Sequence, residues 1–246
     1  MKVFLAATSS REAMGDELLE IPYLLESFYS LQNEKTLKRI IKHNKENFLL
    51  DSGAFTFMSG TGKADFDEYL TKYIDFINKY DIKYFFELDV DSVVGYEKVK
   101  EYRKRLEKET GKKCIPVWHK SRGKDEFLKM CDEYDYVAIG GIVTKEITKE
   151  QYPFFTWFIN EAHKRKCKIH GLGFTDTNLL KKYHFDSVDS TAWLSGSRFG
   201  HIYYFDNGVM KSKTPPKGKK TVHYKLIDEQ NINEWLKYQR YADKNL

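Results

Sequence analysis

YVAIGG at residues 136–141 and FFEL at residues 85–88 are the stretches that decide the fold. Each is a near-continuous apolar run of strand length, which is typical of a β-strand buried on both faces of a parallel sheet. Outward from these two runs, six further short segments are rich in β-branched and aromatic residues. The eight predicted strands cover residues 3–7, 48–52, 84–89, 115–119, 136–140, 168–172, 185–189 and 201–205.

Amphipathic segments separate most of these strands. Over residues 65–80 the apolar side chains recur with the 3.6-residue spacing of a helix, and Asp65 with Glu68 resembles a capping pair. Thr148 with Gln151 is a second such pair. Helices are predicted at residues 34–43, 65–80, 96–110, 124–134, 151–166 and 177–183, followed by a terminal helix at about 228–243.

Repeated β–α units predict an α/β sheet with right-handed crossovers. Eight strands within about 205 residues favour a closed, TIM-like (β/α)8 barrel over an open doubly wound sheet. Closure is an inference around residues 190–200, which carry no clear helix. The whole chain, residues 1–246, is predicted as one barrel domain with a basic C-terminal extension: a loop at about 207–225 and the terminal helix.

The composition of the 246 residues, 41% hydrophobic and 31% charged, supplies a full core and excludes a disordered chain. No apolar run approaches the roughly 20 residues that a membrane span needs, so no membrane partner is expected. Cys114, Cys131 and Cys167 form no disulfide framework. We therefore expect a protein of the reducing cytoplasm.

The net charge is +5, and its distribution is uneven. Residues 211–225 contain six lysines and no acidic residue, around Pro215, Pro216 and Gly218. Such a cluster either neutralises nucleic-acid phosphates or is a solvated loop that keeps the protein soluble. Composition leaves both interpretations open.

Carboxylates, histidines and glycines end six consecutive predicted strands, where (β/α)8 barrels carry their sites. One such residue is often only a turn residue, but six in succession favour a site. Paired carboxylates suit glycosidic chemistry, and they equally suit Mg²⁺ binding with a phosphate. The strand-end residues are Asp51-Ser52-Gly53, Asp89 and Asp91, His119, Gly140-Gly141, His170-Gly171-Leu172-Gly173, and Asp186 and Asp189.

Five motifs in order resemble those of tRNA-guanine transglycosylases and, most closely, of their zinc-less phage relatives that modify DNA. They are DSGAF at 51–55, FELDVD at 86–91, AIGGIVTKE at 138–146, HGLGFTDTNLL at 170–180 and DSVDSTAWLSGSR at 186–198. The resemblance covers roughly residues 48–200. It implies a (β/α)8 barrel that exchanges guanine for a free 7-deazaguanine base, without a cofactor or a catalytic metal, through a covalent enzyme–nucleic-acid intermediate.

The resemblance also implies a role for individual residues. Asp189 corresponds to the nucleophile that attacks the sugar C1′, with Asp186 a rival by sequence, and Asp51 corresponds to the general acid/base. The implied base-binding residues are Ser52; Phe55 and His170, which would stack on the two faces of the base; Asp89 and His119, which would read its edge; Gly140, Gly141 and Gly171; and Glu146, beside the 7-substituent.

For nucleic acid, the expected contacts are Arg198, Lys211, Lys213, Lys217, Lys219 and Lys220. The chain departs from the family at Ala54 and Thr56, and it lacks the C-x-C-x-x-C zinc cluster of the tRNA enzymes. DNA is therefore expected as the substrate rather than tRNA, with the target guanine flipped out of the duplex. A homodimer is a further expectation.

Four alternatives stay open at this point. They are a tRNA-guanine transglycosylase, an N-glycoside hydrolase that leaves abasic sites, a metal-dependent phosphodiesterase, and a catalytically silent barrel that binds nucleic acid or a partner subunit. The presence of both Asp51 and Asp189 argues against a silent barrel, because such a protein has no chemical need for two carboxylates.

Overall fold

The computed structural model describes residues 1–8, 21–31, 45–54, 65–216 and 223–246. Its central feature is an eight-stranded sheet in which all paired strands are parallel. The order β4-β3-β2-β1-β8-β7-β6-β5 follows the chain, with β1 beside β8. The strands are β1 (Lys2–Ala6), β2 (Leu24–Ser27), β3 (Phe48–Asp51), β4 (Tyr84–Phe85), β5 (Val117–Trp118), β6 (Tyr136–Ile139), β7 (Lys168–Gly171) and β8 (Ser187–Ser190).

The two outermost strands of that order, β4 and β5, meet through a parallel bridge between Phe86 and Ile115. The amide of Ile115 donates to Phe85 O (2.8 Å), and the amide of Glu87 donates to Ile115 O (3.0 Å). Together with the β1–β8 pairing, this bridge curls the sheet into a cylinder. The α/β, TIM-like (β/α)8 fold predicted from the sequence is confirmed.

One predicted strand, 201–205, does not belong to the barrel. It forms β9 (Ile202–Asp206), which pairs antiparallel with β10 (Val209–Lys213) in a separate hairpin. The turn residues Asn207 and Gly208 both have positive φ, 46° and 77°, as a tight two-residue hairpin turn requires. The eighth barrel strand is instead β2, whose sequence LLES has no β-branched residue to indicate a strand.

Helices cover the outside of the barrel, and most lie where the sequence predicts them. The capping prediction for Asp65 is confirmed, because its carboxylate accepts from the amides of Asp67 (3.1 Å) and Glu68 (3.0 Å). The predicted helix 34–43 lies outside the described residues. The helices are α1 (Phe66–Tyr80), α2 (Asp91–Val94), α3 (Tyr96–Thr110), α4 (Gly123–Glu133), α5 (Phe155–Lys164), α6 (Thr177–Leu180), α7 (Ser195–Phe199) and α8 (Tyr224–Asn245).

The predicted helix 151–166 divides into two parts. It begins as a 3₁₀ helix, Lys149–Phe154, and continues as α5. Pro153 lies inside the 3₁₀ part and has no backbone N–H for the helical ladder. The capping box of Thr148 and Gln151 is confirmed, because each side chain bonds to the backbone of the other residue.

Side chains fill the inside of the barrel, so it is a packed core and not a pore. The terminal helix α8 packs outside β1, where Gln239 Nε2 donates to the carbonyls of Val3 (2.6 Å) and Tyr23 (2.8 Å). Among the described residues, no helix combines the length and apolar character needed to cross a membrane. The interior cluster consists of Phe4, Ala6, Tyr23, Leu25, Leu49, Phe86, Ile115, Val117 and Ala138.

Candidate active site

Asp189 lies in β8 with its side chain turned into the barrel. Its register partner on β1 is Phe4, which belongs to the interior cluster, and neighbouring residues of parallel strands face the same side. Asp189 Oδ1 accepts hydrogen bonds from the amide of Gly173 (2.7 Å) and from His170 Nε2 (3.2 Å). No described residue hydrogen-bonds to Oδ2, so one carboxylate oxygen is held and the other is available.

Asp51 ends β3 at the carboxyl-terminal mouth of the barrel. Its Oδ2 accepts from the amide of Gly53 (3.1 Å). Burial raises the pKa of Asp51 to about 7, and the negative charges of Asp89 and Asp189 contribute to the rise, which the Gly53 hydrogen bond opposes. Asp51 therefore lies within electrostatic range of both Asp89 and Asp189, and we call these three carboxylates the acidic cluster.

His119 lies between two carboxylates at the same mouth. Its Nε2 is 3.1 Å from Asp89 Oδ2, and its Nδ1 is 3.2 Å from Glu146 Oε2. Burial by itself lowers the pKa of His119, but the two hydrogen bonds outweigh it and raise that pKa to about 10. The ring is therefore an imidazolium at neutral pH and donates from both nitrogens. Both ring nitrogens are thus occupied by carboxylates, and the contact with the base carbonyl that the sequence interpretation assigned to His119 stays a prediction.

The proton of this triad belongs to His119. Burial raises the pKa of Asp89, and the hydrogen bond from His119 opposes the rise. The same imidazolium lowers the pKa of Glu146. A proton on His119 makes both contacts charge-assisted hydrogen bonds from an imidazolium to a carboxylate, whereas a proton on Asp89 would leave a neutral imidazole with weaker contacts. Asp89 Oδ1 has no hydrogen-bond partner among the described residues.

Gly140 and Gly141 make room for the His119–Glu146 pair. A Cβ at Gly140 would lie 2.7 Å from His119 Cε1, and one at Gly141 would lie 2.8 Å from Glu146 Oε2. Gly141 also has a φ of 81°, which residues with a side chain rarely adopt. These glycines support the site through packing, and their predicted backbone contact with a base stays a prediction.

His170 is turned into the barrel interior, which corrects its predicted stacking on a base, whereas Gly171 ends β7 at the mouth and its predicted backbone contact with a base stays a prediction. His170 is fully buried in the barrel interior, with the ring of Phe86 at a centroid distance of 5.3 Å, and neither face of the imidazole is open to a base. Gly171 faces the helices, because a Cβ there would meet Phe174 and Phe185 at 3.2 and 3.3 Å.

Three further residues were predicted for the site: Ser52, Phe55 and Asp186. Ser52 is buried in the turn after β3, where its Oγ lies 3.4 Å from the amide of Ala54. Phe55 lies outside the described residues. Asp186 precedes β8 at the opposite end of the barrel from the mouth, and it accepts from the amide of Ile169 (2.8 Å). It therefore does not compete with Asp189 for the role of nucleophile.

A buried ion-pair network, which the sequence interpretation missed, supports the strand that carries Asp89. Glu87 is fully buried and accepts from Arg103 Nε (2.6 Å) and from an Arg122 guanidinium nitrogen (2.7 Å). Burial would raise the pKa of Glu87, but the two guanidinium groups hold it below its ordinary value. Arg122 also forms a two-pronged pair with Asp91 (2.8 and 2.6 Å), so Asp91 belongs to this network. The one sequence signal was a glutamate inside the apolar run FFEL.

The candidate nucleic-acid contacts lie on and near the β9–β10 hairpin. Arg198 is exposed on α7 and forms no ion pair with another described residue. Lys211 pairs with Asp206 (2.5 Å), and the ammonium of Lys213 lies 5.7 Å from the centre of the Tyr204 ring. The remaining predicted contacts, Lys217, Lys219 and Lys220, lie outside the described residues.

A groove of about 200 Å³ lies on the outer wall of the barrel, beside the start of α4 and the 3₁₀ helix before α5. Trp118, Phe155 and Phe158 are among its lining residues, and none of the three mouth aspartates is. In the part of the chain that the structure describes, no three His, Cys, Asp or Glu side chains are placed to hold a metal ion.

Comparison with known proteins found no family model and no curated protein that matches this chain.

Proposed function

We propose that the protein is a base-exchange transglycosylase that replaces guanine in DNA with a 7-deazaguanine derivative. The observation that supports this most is that Asp51, at the end of β3, lies within electrostatic range of Asp189 in β8. The pKa of Asp51 is about 7, which suits a group that gives and takes a proton at neutral pH. Asp189 offers Oδ2 as a nucleophile while Oδ1 is held by two donors.

The chemistry divides into two displacements at C1′. Asp189 Oδ2 attacks C1′ as the N-glycosidic bond breaks, its electron pair passes to the departing guanine, and Asp51 protonates that base. The incoming 7-deazaguanine then loses its N9 proton to Asp51, N9 attacks C1′, and Asp189 leaves as a carboxylate. Two inversions give overall retention, and Asp51 ends in the protonation state in which it began.

Asp89 is the proposed acceptor for the guanine-type edge. Its Oδ2 is held by His119, and Oδ1 is open to the N–H donors of a base. His119 and Glu146 fix that carboxylate in place, so we assign them a positioning role.

DNA is the proposed nucleic acid. The cysteines, Cys114, Cys131 and Cys167, are all buried, and their spacing does not match the zinc cluster of the tRNA enzymes. Lys213 is an exposed basic residue of the hairpin, and we assign it a contact with the DNA phosphates. In duplex DNA the target guanine must leave the stack, which costs a few kcal/mol.

The experiment incubates the protein with guanine-containing DNA or tRNA and with labelled 7-deazaguanine bases, and it traps covalent adducts under denaturing conditions. We expect label and adduct with DNA, and a loss of at least about 10⁴-fold in Asp189→Ala. Asp186→Asn is the matched control, because that aspartate lies at the opposite end of the barrel and should leave exchange intact.

Each other outcome contradicts a defined part of the proposal. Label that enters tRNA and not DNA would refute the choice of substrate. Abasic product without incorporation would identify the N-glycoside hydrolase instead. Equal loss of exchange in Asp186→Asn and Asp189→Ala would remove Asp189 as the nucleophile, and no reaction with any nucleic acid and base would refute base exchange.

A further inference from the structure

A buried hydrogen-bond chain leads through the barrel interior to Asp189. The hydroxyls of Tyr136 and Ser187 are hydrogen-bonded, Ser187 Oγ lies 2.6 Å from His170 Nδ1, and His170 Nε2 lies 3.2 Å from Asp189 Oδ1. Ser187 and His170 have at most 1% exposure, so water does not compete for these contacts. These hydrogen-bonded side chains lie beneath Asp189, on the side away from the mouth of the barrel.

The direction of the hydrogen bonds follows from the chemistry of the two ends. A carboxylate oxygen only accepts, so His170 Nε2 carries a hydrogen and donates to Asp189. Burial raises the pKa of Tyr136, which keeps its phenol protonated and able to donate to Ser187. The Ser187 hydroxyl then donates to His170 Nδ1. An imidazole with one hydrogen, on Nε2, satisfies every contact, and Ser187 fixes that tautomer.

We propose that His170 is a positioning residue for Asp189: with the amide of Gly173 it holds Oδ1 and stabilises the charge that returns to the carboxylate when the sugar leaves. This inference depends on the proposed base exchange. When Oδ2 bonds to C1′, Oδ1 becomes the carbonyl oxygen of an aspartyl ester. As the C1′–Oδ2 bond breaks in the second displacement, negative charge returns to both oxygens, and the donors at Oδ1 favour that step.

The role predicts a specific kinetic asymmetry. The donors stabilise the charged carboxylate, which is the starting state of ester formation and the product of ester breakdown. Loss of the His170 donor therefore slows breakdown more than formation, and the covalent adduct persists longer. A purely structural defect in the barrel would slow both steps and would weaken substrate binding together with them.

The experiment compares wild type, His170→Phe and His170→Gln in single-turnover adduct formation, adduct breakdown and steady-state kinetics. In His170→Phe, which keeps a ring but has no donor, we expect breakdown slowed about 10- to 100-fold with KM within about threefold. His170→Gln carries an amide N–H where Nε2 was and should recover part of the rate. Tyr84→Phe is the control, because it removes a tyrosine hydroxyl that bonds to Glu46, before β3, and does not contact Asp189.

Equal slowing of formation and breakdown in His170→Phe, no change in either, or a Gln variant as slow as the Phe variant would each overturn the positioning role. Urea unfolding of each variant tests whether it is folded. If His170→Phe is not folded, His170→Gln alone decides: we expect its breakdown-to-formation ratio to fall below that of wild type, because an amide replaces the imidazole donor only in part, and an unchanged ratio would overturn the positioning role.

A second measurement separates this inference from the proposed function. The ¹⁵N shifts of His170 should show the Nε2–H tautomer in wild type, and the Nε2–H proton should lose its hydrogen-bonded shift in Asp189→Ala. If wild type forms no adduct with any nucleic acid, base exchange is refuted, and this pair of spectra still decides whether His170 holds Asp189. A Nδ1–H tautomer in wild type would overturn the proposed contact.

Discussion

Replacing Asp51 by asparagine should stabilise the folded protein at pH 8 more than at pH 5. Burial and the nearby charges of Asp89 and Asp189 raise the pKa of Asp51 from 3.8 to about 7. Between pH 3.8 and about pH 7, Asp51 is therefore protonated in the folded protein and ionised in the unfolded chain. The contribution of Asp51 to the free energy of unfolding falls as the pH rises through this interval and stays low above pH 7. Asparagine has no charge to desolvate, so the variant escapes that loss.

The size of the effect follows from the shift. A change from 3.8 to about 7 is roughly three pKa units, and at about 1.36 kcal/mol per unit it is worth at most about 4 kcal/mol at pH 8. About two thirds of this develops between pH 5 and pH 8. Because Asp51 keeps some solvent contact, we expect the variant to gain about 1 to 3 kcal/mol relative to wild type over that range.

The assay is urea unfolding of wild type and Asp51→Asn at both pH values, followed by circular dichroism. Asp75→Asn is the matched control, because Asp75 is exposed on α1, a helix on the outside of the barrel. Its effect should be the same at both pH values. A stability difference between Asp51→Asn and wild type that does not grow with pH would refute the account of the acidic cluster. So would a variant less stable at pH 8 than at pH 5, relative to wild type.

Two further predictions concern the groups around Asp89. His119 should remain an imidazolium through pH 8.5, because the carboxylates of Asp89 and Glu146 raise its pKa to about 10. ¹⁵N NMR should therefore show both ring nitrogens protonated. A titration midpoint below pH 8 would contradict this prediction. Arg103→Met should lower the free energy of unfolding by about 3 to 5 kcal/mol, because it removes one partner of a fully buried glutamate. Arg105→Met on the same helix removes a partly exposed pair and should cost less than about 1 kcal/mol in the same urea assay. Equal losses would contradict the assigned burial.

The aspartates of the candidate site could be located from the sequence. Asp51 and Asp89 end or follow predicted strands, and parallel strands in a barrel bring such ends to one mouth. The orientation of individual side chains within a strand could not be predicted in the same way. In KIHGLG, residues 168–173, both faces of the strand are buried, so the usual polar–apolar alternation is missing. His170 therefore seemed as able as Gly171 to face a base, whereas it faces the barrel interior.

The ion-pair partners of the buried charged residues also could not be predicted from the sequence. Glu87 binds Arg103 and Arg122, and His119 binds Glu146, across chain separations that no local pattern records. A buried glutamate is unfavourable without a partner, and the sequence did not show that Arg103 and Arg122 are the partners of Glu87.

The alternation of apolar runs with amphipathic segments was sufficient to predict a parallel α/β sheet, because each buried parallel strand needs a helix to return the chain, but the predicted count of eight strands included one wrong strand and missed β2. Tertiary structure alone decided which segments are its strands. It excluded 201–205, which pairs with β10, and included Leu24–Ser27, whose burial comes from neighbours rather than from its own composition. It also decided that both nitrogens of His119 are occupied and that His170 supports Asp189 from beneath, because those hydrogen bonds form only when distant strands close into a cylinder.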